Sequence, residues 1–177
     1  MSNVREKRSS FHSPKLYPEF ARLQSYVDEI RGEALGARKS MTDIVDNRAA
    51  LGAWQMLPLL AEEEDHTVFP EAICRHNCRL VPRTVELLST IPDLVAYAIS
   101  TLEPAGHIQP HHHRNPYVTA SLCLQSGGDA HLVVDGERRD YRDGELVIFD
   151  YTLQHEVVNN GKQARIVLLM LLESRCC

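Results

Sequence analysis

The sequence predicts a mainly β domain, a sandwich or barrel, with helices packed outside it. Three observations carry this expectation. From Leu94 onward, short apolar or alternating runs recur, broken by Gly, Pro and Asp. Ahead of them lies a stretch with the three-and-four spacing of an amphipathic helix. The length of 177 residues, with 44% hydrophobic and 24% charged residues, fits one globular domain and excludes a disordered chain.

Each element follows from local pattern. Residues 1–16 are polar and basic and read as a flexible N-terminal arm, ahead of a single domain over 17–177. No apolar segment follows the charges near the start, so no signal peptide is expected there. Pro18 opens a helix whose apolar stripe is Phe20, Leu23, Tyr26, Val27, Ile30 and Leu35, with Gly36 as its stop. Residues 37–53 read as a loop with a short helix near Asp46–Leu51. Ala53–Leu60 contains the single Trp and reads as a strand. An acidic loop, Glu62–Asp65, follows it, and a second helix covers Pro82–Ser89. The expected later strands are Val95–Leu102, Tyr117–Leu124, His131–Asp135, Glu137–Tyr141, Glu145–Phe149 and Ala164–Leu172. Asp135-Gly136 is the turn of a hairpin, because both positions favour positive φ.

Charge and cysteine content narrow the class. Lys plus Arg is 19 against 24 for Asp plus Glu, a net −5 that gives no support to a nucleic-acid partner. The longest strongly apolar run, Ile166–Leu172, is too short to cross a bilayer, so no membrane partner is expected. Five cysteines, an odd number with two adjacent at the end, form no secretory framework. Reduced thiols in a cytoplasmic protein are the reading, with Cys176-Cys177 a tail rather than a lipidation site.

The unusual number is nine histidines, six of them between His107 and His155. Three are consecutive, His111-His112-His113, and His155 lies 44 residues beyond His111. If His111 and His113 share a strand, they face the same side and His112 the other. His155 from a distant strand would then complete a facial set. Imidazole suits Fe, Zn, Cu and Ni, and two or three such ligands with open positions suit non-haem Fe(II). His107 reads as a supporting residue. His12, His66, His76 and His131 have no positional claim. Arg165 is conspicuous because seven consecutive apolar residues follow it, and it reads either as a buried cation or as a strand-start residue facing solvent. Arg114, Arg138 and Arg139 read either as contacts to a substrate carboxylate or as solvated loop residues.

Five segments in order resemble the aspartyl/asparaginyl β-hydroxylase family, over about Tyr17 to Leu172. They are Trp54–Leu60; Asn77-Cys78 through Pro82-Arg83-Thr84, Leu87-Leu88 and Ile91-Pro92; Ser100–His111; Gly144–Asp150; and His155-Glu156-Val157 with Asn159 and Arg165. The resemblance implies a double-stranded β-helix, the cupin-like jelly roll, and an Fe(II)/2-oxoglutarate-dependent dioxygenase. It implies that His111 and His155 are catalytic iron ligands. It implies that Arg165 binds the distal carboxylate of 2-oxoglutarate, with Ser100 lining the same pocket. O2 is the co-substrate. The expected substrate is a small amino acid or an amino-acid unit of a peptide or natural-product precursor.

The sequence also departs from the family pattern. His113 stands where the family commonly has Gly, so it is a candidate third metal ligand. Thr119 and Ser121 stand where the family has an Arg and a His that contact 2-oxoglutarate. Asp150 keeps one of a family pair of aspartates, with Tyr151 beside it. Two alternatives therefore stay open. One is a three-histidine cupin dioxygenase that uses no 2-oxoglutarate. The other is a non-catalytic cupin that binds a metal or ligand.

Overall fold

The computed structural model describes residues 10–45, 47–50, 53–61 and 69–173. In chain order the elements are β1 (Phe11–His12), α1 (Pro18–Ala21), α2 (Val27–Gly36), β2 (Thr42–Asp43), β3 (Trp54–Leu60), α3 (Glu71–Cys78) and α4 (Pro82–Leu88). There follow β4 (Leu94–Leu102), β5 (His107–His111), β6 (Tyr117–Gln125), β7 (Ala130–Val134), β8 (Glu137–Asp140), β9 (Leu146–Asp150), β10 (His155–Asn159) and β11 (Arg165–Glu173).

The strands form two antiparallel sheets. The larger runs β1-β9-β6-β11-β4-β3-β2 and the smaller β5-β10-β7-β8. Strands β4 to β11 alternate between the sheets except at the β7–β8 hairpin, the order of a jelly roll, so the fold is a double-stranded β-helix with flanking helices. The β7–β8 hairpin turns at Asp135 (φ 47°) and Gly136 (φ 78°), two positive φ values in succession, as its Asp-Gly pair predicts.

Period two decides what each strand buries. On β11, Ile166, Leu168 and Met170 join the core between the larger sheet and the helices, with Phe20, Ile30 and Leu88. Val167 on the opposite face joins the core between the sheets, with Leu102, Leu132 and Val147. Both faces of β11 and β6 are covered, which is why these two strands read as nearly continuous apolar runs. Arg165 is the one charged residue forced into this arrangement.

Several expectations need adjustment. The arm is shorter than 1–16: Phe11 and His12 pair with Phe149 and Ile148 of β9, and buried Phe11 lies under the Arg139 guanidinium, 4.3 Å from it. An apolar ring anchors this stretch; residues 1–9 lie outside the described ones. The helical stripe ends on buried Ala34, and Leu35 is exposed, because a residue four places after Ile30 stacks over it. The middle of that helix, Arg22–Tyr26, is a 3-10 segment. The short helix near Asp46–Leu51 is absent where described, since residues 47–49 form a turn. Asp46, Leu51, the acidic loop Glu62–Asp65 and Cys176-Cys177 lie outside the described residues. Helix α3 was not expected: only Cys74 and Asn77 of its eight residues are buried, too few for a periodic signal.

Candidate metal centre

His111, His113 and His155 converge in one cavity between the sheets. Their ligand-capable nitrogens lie within 4.8 Å of one another. The sheet explains the first pair. His155 opens β10 and His111 ends β5, and the two residues are directly opposed in the antiparallel register. Their ring centroids stand 4.3 Å apart. His113 arrives differently from the expectation. It lies beyond the end of β5, so strand alternation does not aim it. Instead its backbone N–H donates to the carbonyl of Tyr151 at 3.3 Å, and its ring stacks on Tyr151 at 3.7 Å and 5°. His112 is exposed at the rim of the same cavity.

Two of the tautomers follow from the hydrogen bonds. Nδ1 of His111 lies 2.7 Å from the Gln109 carbonyl, and Nδ1 of His155 lies 2.8 Å from the Leu153 carbonyl. A carbonyl only accepts, so Nδ1 carries the proton in each and Nε2 keeps its lone pair. The same device, a bond to the carbonyl two residues back, orients both rings as metal-ligating histidines are usually oriented. Burial, reinforced by the neighbouring histidines and Arg48, lowers His113 to about 3. Burial is also the first cause that lowers His155 to about 4. Both are therefore neutral near neutral pH, the state that binds a metal.

Arg165 lines the same cavity, 2% exposed. Its guanidinium carbon lies 5.2 Å from the centroid of the Tyr141 ring. Nε of Arg165 has no hydrogen-bond partner among the described residues, and neither do the buried hydroxyls of Thr119 and Ser121. Burial pushes the Tyr141 phenol up, while Arg165 and the Ser121 hydroxyl beside it act the other way. Ser100 lines the cavity too, and its Oγ accepts a 3.1 Å bond from Trp54 Nε1. The cavity, about 620 Å³, thus carries polar groups along its wall, from Arg165 and Ser100 to Ser121 and Thr119. An unpaired buried guanidinium nitrogen costs about 1–3 kcal/mol, a cost that an acceptor placed against it would remove.

The remaining candidates fall outside. Arg138 pairs with Asp140 at 2.8 Å, Arg139 covers Phe11, and exposed Arg114 does not line the cavity. His107 donates from Nε2 to Glu156 at 2.7 Å on the neighbouring strand β10 and does not line the cavity. His131 is buried on β7 away from the cavity. Trp54, Tyr141 and Tyr151 also line the cavity, and the sequence carries no sign of it: Trp54 marks only a family-like strand, Tyr151 adjoins Asp150, and nothing in local spacing points Tyr141 inward.

The family model described as aspartyl/asparaginyl beta-hydroxylase matches residues 14–174. A curated protein of Rhizobium tropici, named ornithine lipid ester-linked acyl 2-hydroxylase, is 28% identical over 100 residues. The match covers 53% of this chain and 35% of that protein, so the chain spans about a third of its relative's length. Among solved structures, a predicted oxalate decarboxylase of Thermotoga maritima is 16% identical, with a TM-score of 0.49 over 76% of this chain and 92% of that one. The Schizosaccharomyces pombe Cnp3 cupin domain is 11% identical, with a TM-score of 0.48 over 77% and 72%. A cupin-2 domain of Rhodospirillum rubrum is 12% identical, with a TM-score of 0.48 over 77% and 71%.

Proposed function

The chain belongs to the aspartyl/asparaginyl β-hydroxylase family, and from that premise we propose that it is an Fe(II)/2-oxoglutarate-dependent oxygenase. It hydroxylates a small amino acid or an amino-acid unit of a peptide or natural-product precursor. The observation that carries this reading is the company Arg165 keeps: a buried cation with an unpaired Nε shares one cavity with three convergent imidazoles.

The donor set fits both groups. His111, His155 and His113 would hold Fe(II) through neutral nitrogens. Arg165 would pair with the distal carboxylate of 2-oxoglutarate, and the unpaired Thr119 and Ser121 hydroxyls on the same cavity wall suit its oxygens. When bound, these groups supply the activation of O2 that puts one oxygen atom into a substrate C–H bond and leaves succinate and CO2. The protein's part is orientation and exclusion of water. The Gln109 and Leu153 carbonyls fix two imidazoles, and Tyr151 supports the third from its stacked face. Trp54 donates to Ser100 Oγ, leaving the Ser100 hydrogen to donate into the cavity. Strands of the two sheets hold His111, His155, Trp54, Ser100 and Arg165, while His113 and Tyr151 sit just beyond strand ends.

No helix among the described residues is long and apolar enough to cross a membrane. Cys74, Cys78 and Cys123 are free, which supports a reducing, cytoplasmic setting.

The three-histidine group favours a second reading, a cupin dioxygenase that needs no 2-oxoglutarate. O2 uptake separates the two. In the proposed function, uptake requires 2-oxoglutarate, forms succinate, and stops in His155→Ala. O2 uptake without 2-oxoglutarate would favour the alternative.

A further inference from the structure

The cavity wall formed by β3, β4 and β11 changes from polar to apolar along the strands. Across the inner face of the larger sheet, Trp54, Leu102 and Arg165 lie in one row, and Met56, Ser100 and Val167 in the next. These two rows hold the polar end. The following row is Pro58, Ala98 and Leu169, paired strand to strand. Beyond it Ala96 is paired with Leu171, and Leu60 closes the end of β3 past a bulge. All six of these residues line the cavity, and none carries a charge or hydrogen-bonding side chain.

Size within these rows matters as much as polarity. Alanines occupy the middle strand, with larger side chains on either side. Two methyl groups between Pro58 and Leu60 on one flank and Leu169 and Leu171 on the other leave a trough along β4. It starts beside Ser100 and opens at Leu60, which is 38% exposed. Val45, also lining the cavity, is 85% exposed. Polar residues flank the trough: Ser121 and Thr119 on β6 continue the two rows past Leu169 and Leu171, Tyr97 is the partner of Leu60, and Thr42, Asp43 and Arg48 come from β2 and the turn after it. The cavity of about 620 Å³ also exceeds what a five-carbon diacid fills.

We propose that this trough, floored by Ala96 and Ala98, binds an unbranched alkyl portion of the substrate and sets specificity by its width. The inference deepens the proposed oxygenase reading and rests on it for the word substrate. The polar end takes the anion held by Arg165, and the apolar end takes a chain whose solvation is lost without any polar compensation. A polar or branched side chain fits poorly there, because the floor on β4 and the flanks on β3 and β11 offer no hydrogen-bonding side chain in these two rows and are fixed by sheet pairing.

The test uses the full metal-free chain, with the neutral dye N-phenyl-1-naphthylamine bound and 1-alkanols from butanol to octanol displacing it. Neutral alcohols avoid Arg165 and read the trough alone. Affinity should rise about fourfold per added methylene. Ala98→Phe should abolish displacement. Ala96→Val, at the open end, should weaken only the longer alcohols. Co(II) spectra and thermal melts should show both variants folded and metal-competent. Affinity independent of chain length, or a dependence unchanged in both variants, would overturn the trough. These titrations contain neither metal nor 2-oxoglutarate. Intact chain-length dependence in a chain that fails to bind Co(II) would therefore support the trough while overturning the metal reading.

Discussion

Replacing Arg165 by Met separates a structural arginine from one kept for a ligand. Arg165 is 2% exposed with Nε unpaired, and it closes no ion pair among the described residues. Met has similar length, so little volume is lost. Without ligand, the variant should be as stable as the parent or more stable, by up to about 1–3 kcal/mol, the cost of an orphaned buried donor. In a domain of this size that is a rise of roughly 2–4 °C in Tm per kcal/mol. With ligand the order reverses. The parent should gain about 2.7 kcal/mol at a 2-oxoglutarate concentration about 100 times Kd, and the variant almost nothing. Each lost charge-assisted hydrogen bond is worth about 1.5–3 kcal/mol, so KM for 2-oxoglutarate should rise by at least about tenfold. Arg165→Lys keeps the charge without the planar fork and should fall between. Thermal melts with and without 2-oxoglutarate, beside succinate kinetics, make the comparison. A ligand-free Arg165→Met that is clearly destabilised, together with unchanged KM, would refute the reasoning.

Two further outcomes follow from the centre. His113→Ala should weaken Co(II) binding by at least about tenfold and alter its visible spectrum, and Tyr151→Ala should reproduce part of that loss by freeing the imidazole; unchanged affinity in His113→Ala would leave a two-histidine site. Acid should destabilise the metal-free fold in a defined window. His155 is lowered to about 4 in the folded chain against about 6.5 unfolded, so above about pH 6.5 neither state binds its proton. As pH falls from about 6.5 toward 4, only the unfolded state takes the proton, and stability drops by up to about 1.4 kcal/mol per pH unit from this residue. Urea midpoints at about pH 7 and about pH 5 should differ in the parent by more than in His155→Gln.

Much of the fold is legible because it repeats a period. The Asp135-Gly136 turn, the alternation around it and the apolar runs of β6 and β11 all announce themselves locally. Helix α3 does not, because a short helix burying two small polar or thiol side chains leaves no stripe. The centre divides along the same line. His111 and His155 are readable from histidine spacing and from the family resemblance, and sheet register then opposes them. Arg165 is conspicuous because it heads an apolar strand, and the fold then buries it. The position of His113 follows from no period at all. It is aimed by a ring stack and a backbone bond to Tyr151, contacts between loops that only the folded chain brings together. The trough along β4 is equally silent in sequence: Ala96 and Ala98 acquire meaning only from neighbours on β3 and β11.

The central claim is that one cavity holds Fe(II) and 2-oxoglutarate together. Anaerobic absorption spectroscopy tests it most directly. Adding 2-oxoglutarate to the Fe(II)-loaded chain should produce a visible metal-to-ligand charge-transfer band at one iron per chain, absent in His155→Ala. An Fe(II) spectrum that 2-oxoglutarate leaves unchanged would contradict the account.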